Sequence, residues 1–190
     1  MVKKILQSQE GVLRKIAKKV PIGDIKTPKI QKILKEMTTA LRSQYDGVAL
    51  AAPQIGYSLQ IFVVSGKIFS DDFTKSLEAP TPEGVGIPTS DKYQSVGKEV
   101  KDMVFINPVI LKLSRKKEWM PEGCLSVRPL YGKTWRSIKA TVTAYDENGQ
   151  KFTRGASGLL AQIFQHETDH LKGILFSDHA KEIKEEKPIE

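Results

Sequence analysis

The chain has 190 residues, 39% of them hydrophobic and 27% charged, the size and balance of one soluble globular domain. No apolar run approaches the roughly 18–20 residues of a membrane span, and the opening Met-Val-Lys-Lys-Ile-Leu-Gln-Ser-Gln-Glu has neither the apolar stretch nor the cleavage site of a secretory signal. The net charge of +8 is carried by dispersed lysines such as Lys15, Lys18, Lys19, Lys32 and Lys35 without interleaved aromatics, so no specific nucleic-acid site is expected.

Thr27-Pro28 opens the first clear helix, a good N-cap residue followed by proline at the first helical position. Ile30, Ile33, Leu34, Met37, Ala40 and Leu41 then repeat at helical spacing to about Gln44, a stripe that belongs to a core. Asp46-Gly47 ends it. Leu59–Ser65 reads as a buried strand. Residues 66–102 lack any sustained period and contain Pro80, Pro82, Pro88, Gly84 and Gly86, which predicts a surface insertion. The sheet is expected to resume at Met103–Ile110.

Further on, Ile138, Ala140, Val142 and Ala144 alternate with polar partners, the pattern of a half-buried strand. Asn148-Gly149 is a hairpin signal, with a return through Lys151–Arg154. Ser157 stands before a second helix in which Leu159, Leu160, Ile163, Phe164, Glu167, His170 and Leu171 keep helical spacing, and Gly173 supplies the stop. The tail from 179 to 190 is highly charged and expected to fray. The expected fold is α+β: one domain over residues 1–190, with mostly antiparallel sheets packed around a central helix and an N-terminal helix before them.

That central helix carries His166-Glu167-Thr168-Asp169-His170, an HExxH. Residues four apart share a helix face about 5–6 Å apart at Cβ. Two imidazoles so placed can hold one metal ion, and the glutamate between them can take a proton from water. A catalytic site of this kind takes three protein ligands. Downstream the sequence offers Phe176, which cannot ligate, where the extended HExxHxxGxxH form has its third histidine, and then His179 in the charged tail. Upstream stands Cys124, the only cysteine, which excludes an intramolecular disulfide and suits a reducing compartment, hence the cytoplasm. A lone cysteine is by default a small core residue, but its thiolate is also a strong ligand for iron, zinc, cobalt and nickel.

Three ordered motifs give the chain a family resemblance. Gly47-Val48-Ala49-Leu50-Ala51-Ala52-Pro53-Gln54, Glu122-Gly123-Cys124-Leu125-Ser126 and Gln165-His166-Glu167-Thr168-Asp169-His170-Leu171-Lys172-Gly173 resemble the motifs of the peptide deformylases, the last two in full. Val12-Leu13-Arg14, Ile106-Asn107-Pro108 and Gly158-Leu159-Leu160-Ala161 extend the likeness over nearly the whole chain outside the insertion. The resemblance implies one divalent ion, natively Fe2+, held by Cys124, His166 and His170, with Zn2+, Ni2+ or Co2+ as acceptable replacements. It implies Glu167 as general base, with the Gln54 side-chain amide and the Leu125 backbone N–H as donors to the developing oxyanion. The implied substrate is the N-formylmethionyl end of a nascent peptide, with its methionine expected in a pocket lined by Val48, Leu159 and Ile163 and its backbone near Ala49 and Gly123. Arg136 is expected to pair with Glu122 or Asp169 and brace the ligands. Motif one departs from the family at Ala49, where a second glycine is usual. Transient ribosome association is a further expectation, without the long C-terminal helix by which some members dock. The rival readings are an HExxH metallopeptidase and a catalytically silent deformylase-like binding protein.

Overall fold

The stripe from Ile30 to Leu41 is buried along α1 (Pro28–Arg42) in the computed structural model of the chain, which describes residues 2–70 and 101–185. Thr27 holds the N-cap position, but its hydroxyl donates to the Asp24 carbonyl at 2.7 Å and does not cap α1.

The architecture is mixed α+β, with antiparallel sheets and few helices. One sheet has five strands, β1 (Ala49–Ala51), β2 (Ile61–Val64), β3 (Met103–Leu113), β6 (Lys139–Tyr145) and β7 (Lys151–Ser157), in the order β1-β2-β3-β6-β7. The other has three, β4 (Lys117–Gly123), β5 (Leu130–Ser137) and β8 (Lys181–Glu185), in the order β4-β5-β8. Alternation along the strands divides the core in two. Leu50, Ile61, Val63 and Ile106 pack with α1, whereas Phe62, Val64, Phe105, Ala140, Val142 and Ala144 face the other way. There they meet Ala161, Ile163 and Phe164 of α2 (Gly158–His170). The five-stranded sheet is therefore covered by α1 on one face and α2 on the other, and α2 also touches β5 of the second sheet.

The β6–β7 hairpin turns at Asn148-Gly149. Gly149 has φ 75°, and the Asp146 carboxylate accepts backbone N–H bonds from Asn148 and Gln150. Ser157 precedes α2 without a side-chain cap bond. After α2, Gly173 adopts φ 76° with its Cα so close to Arg14 that a Cβ would lie 2.7 Å from that backbone carbonyl. A glycine is needed there on both counts.

The tail departs from expectation. Lys181–Glu185 pairs with β5 as an edge strand, because backbone hydrogen bonding to β5, the Lys133–Glu182 ion pair and Lys181 over the Trp119 ring hold it without an apolar face. The expected insertion, residues 66–102, falls almost entirely on 71–100, outside the described residues. At its margins, Gly66–Phe69 form a short helical turn and β3 begins at Met103. No helix among the described residues is long and apolar enough to cross a membrane.

Candidate metal centre

Cys124 leaves β4 in a four-residue turn closed by the Val127 N–H on the Cys124 carbonyl at 3.0 Å. This turn faces the last turn of α2. There the Cys124 sulfur and one nitrogen each of His166 and His170 all lie within 4.8 Å of one another. Cys124 Sγ is 3.2 Å from His170 Nε2, and the two imidazole rings meet edge to face with centroids 4.9 Å apart. Helical spacing brings the histidines to one face, and the turn after β4 supplies the sulfur from a distant part of the chain.

Two buried polar atoms here make no hydrogen bond within the described residues: Glu167 Oε2 and His170 Nδ1. Such atoms cost free energy unless something satisfies them. One soft sulfur and two imidazoles, beside a buried carboxylate with a free oxygen, fit a divalent transition-metal ion. Burial pushes the Glu167 carboxyl up to about 7, with His166 opposing the rise and Glu122 adding to it.

The candidate ligands are braced from behind. His166 Nδ1 lies 2.7 Å from Glu122 Oε1. Glu122 also accepts from Arg136 Nε at 3.0 Å and Nη2 at 2.7 Å, from the hydroxyl of Thr134 at 2.6 Å and from the side-chain amide of Gln162 at 3.2 Å. The remaining nitrogen of the guanidinium, Arg136 Nη1, donates to Asp169 Oδ2 at 2.6 Å. Burial alone would raise the Glu122 carboxyl, but His166 and Arg136 outweigh it and hold the group well below the usual range. Arg136 thus meets both acids named for it in the sequence, and this joins β4, β5 and α2 behind the candidate ligands.

Gln54 is buried, at 1% exposure. Its Oε1 accepts the Ala51 N–H at 2.8 Å, which fixes the amide so that Nε2 lies 3.1 Å from Ser126 Oγ and 3.6 Å from Cys124 Sγ. The Leu125 N–H makes no hydrogen bond among the described residues, while its side chain packs against the α1-side core. Val48, Ala49, Leu159 and Ile163 come together in the cluster between sheet and α2. Val48 and Leu159 are partly open, and Ala49 and Ile163 are buried. The Ala49 methyl is absorbed in that packing at 8% exposure. At Gly123 a Cβ would collide with the ring of Tyr131 across the β4–β5 ladder, so the glycine admits that ring.

Sequence reasoning missed Thr134, Gln162, Ser126 and Gln7. Thr134 lies two residues before Arg136 on the same strand face, and Gln162 lies one helical turn before His166, so both had a positional signal. Gln7, whose amide donates to the Leu125 carbonyl at 3.1 Å, had none.

A family model described as "Polypeptide deformylase" matches residues 2–186. The chain is 36% identical over 92% of its length to a peptide deformylase 1A, chloroplastic/mitochondrial, of Arabidopsis thaliana, of which it spans 60%. It is 34% identical over 93% of its length to peptide deformylase 2 of Clostridium acetobutylicum, of which it spans 94%. In structure it is similar to a class I type b peptide deformylase from Acinetobacter baumannii solved with Met-Ala-Ser bound, with 27% identity, a TM-score of 0.74 and coverage of 94% of this chain and 98% of that one. The chain belongs to the polypeptide deformylase family, whose members are metal-dependent hydrolases that remove the N-formyl group from nascent peptides.

Proposed function

We propose that this chain removes the formyl group from N-formylmethionyl peptides through an ion held by Cys124, His166 and His170, with α2 as the central element about which the two sheets pack. The observation that carries this reading is the convergence of those three ligand atoms within 4.8 Å beside the unpartnered Glu167 carboxylate oxygen. Bound there, a divalent ion supplies Lewis acidity, which acidifies water and polarises a carbonyl. Fe2+ is the native ion in this reading, although one sulfur and two imidazoles also accept Zn2+, Ni2+ or Co2+.

Glu167 takes the proton of the attacking water and passes it to the departing amine. Burial makes this carboxylate a stronger base than an exposed glutamate, which suits it to take a proton from water and give it back. Gln54 Nε2 and the Leu125 N–H donate to the oxygen on which negative charge develops, and losing one such donor typically costs about 10²–10³ in rate. Methionine enters beside Val48, Leu159 and Ile163. The peptide backbone runs past Ala49 and Gly123, and the Met-Ala-Ser ligand of the Acinetobacter relative is a peptide of this kind.

Residues 1–190 act as one catalytic unit in this account, on nascent chains and with transient ribosome association. The compartment is the cytoplasm, where a reducing environment keeps the Cys124 thiol available. Replacing Glu167 with alanine should leave metal stoichiometry unchanged and abolish formate release. A variant that keeps full activity would remove the base from the mechanism.

A further inference from the structure

We infer that Gln7, which lies outside every motif, is a positioning residue of the site: its side-chain amide holds the Leu125–Ser126 peptide plane in the orientation that hydrogen bonds the Cys124 sulfur. The inference rests on the proposal that Cys124 is a metal ligand. In the turn Cys124–Val127, the closing bond runs from the Val127 N–H to the Cys124 carbonyl and does not involve the central peptide. Turns of types I and II differ by roughly a half-rotation of that peptide, so the closing bond alone leaves its direction open.

Here both ends of the plane are tied. The Leu125 carbonyl accepts from Gln7 Nε2 at 3.1 Å, and the Ser126 N–H donates to Cys124 Sγ at 3.4 Å. Rotating the plane withdraws both bonds at once. A side chain 118 residues away in sequence therefore decides whether the sulfur receives a backbone donor.

The preceding residue adds a second tie. The Leu6 N–H donates to the Gln54 carbonyl at 2.8 Å, and the Gln54 amide is the other donor beside the sulfur, at 3.6 Å. Ile5 anchors the segment in the α1-side core at 8% exposure. Two successive residues of the N-terminal segment thus brace the two segments that donate to Cys124. Donors around a cysteine ligand tune its electron donation to the bound ion, and losing such an outer partner typically costs about 10–100-fold in metal affinity or activity.

The test uses the full chain loaded with Co2+, whose sulfur-to-cobalt charge-transfer band reports directly on the thiolate. Gln7→Leu removes the donor. It should move the band to longer wavelength and lower kcat about ten-fold with little change in KM, at one ion per chain. Gln7→Glu keeps the length but replaces the donor with an acceptor. It should shift the band the same way, and it serves if the leucine variant fails to fold. Lys4→Ala, an exposed neighbour, is the control and should match the unmodified chain. A band and kcat unmoved in a folded, metal-loaded Gln7 variant overturn the inference while leaving the metal site intact. A cobalt-loaded unmodified chain without any such band overturns Cys124 as ligand, and the inference falls with it.

Discussion

Glu167 departs far from the chemistry of an ordinary surface residue. Its carboxyl titrates near 7 in the folded chain against 4.5 as an ordinary group, because burial disfavours the charge. The folded state then holds the proton more tightly than the unfolded state does. In the metal-free chain this group therefore costs nothing below pH 4.5, takes away stability as pH rises from 4.5 to 7, and takes away no more above that. A shift of this size corresponds to about 3 kcal/mol. Glu167→Gln in the metal-free chain should accordingly stabilise it by up to ~3 kcal/mol at pH 8 and leave it nearly unchanged at pH 4.5. Urea unfolding at the two pH values measures this, and an equal effect at both would show that the charge is not the cause. Glu122 has the opposite sign: held well below its usual range by His166 and Arg136 against its burial, it adds stability above its unfolded pKa, which is lost as pH falls. These residues were legible in sequence because HExxH and Glu-Gly-Cys are local patterns. Gln7 was not, since its role depends on a contact made only after folding.

At the level of elements, α2 does two jobs with one surface. Its apolar residues hold the sheet, and the last helical turn carries the two candidate ligands, His166 and His170. Phe164 is fully buried, 5.1 Å from the Phe105 ring and 6.3 Å from the Phe62 ring, less than one helical turn before His166. Phe164→Ala should cost about 3–5 kcal/mol by transfer and cavity terms and weaken metal retention with it, because the same helix positions both histidines. Thermal unfolding with metal analysis of the folded fraction reads both effects. A loss under 1 kcal/mol would mean that the cavity closes without strain. Both helices and the β6–β7 hairpin were readable because each has a period or a turn signal. The strands β4, β5 and β8 were not. In β4, Pro121 and Gly123 read as breakers, and β8 is exposed throughout, so no apolar alternation marks it. Their evidence lies in pairing across the sheet, such as Trp119 opposite Trp135 with rings 5.3 Å apart, which no local window contains.

Across the whole molecule, the candidate metal site gathers segments that the backbone keeps far apart. Cys124 follows the strand β4, the histidines belong to α2, and Arg136 of β5 ties the two through Glu122 and Asp169. An ion that binds only the folded chain stabilises it by mass action, about 2.7 kcal/mol at one hundred times its dissociation constant. For a chain of this length, chelation should therefore lower Tm by roughly 5–10 °C, and re-addition of the ion should restore it. A Tm indifferent to chelation would show that the three ligands do not share an ion. The central claim is tested most directly by purifying the chain without oxygen, measuring its metal content and assaying formate from a formyl-methionyl tripeptide. The account predicts one ion per chain, formate released in proportion to metal occupancy, and no cleavage of the unformylated peptide. A fully loaded chain that releases no formate, or that cuts internal peptide bonds, would contradict it.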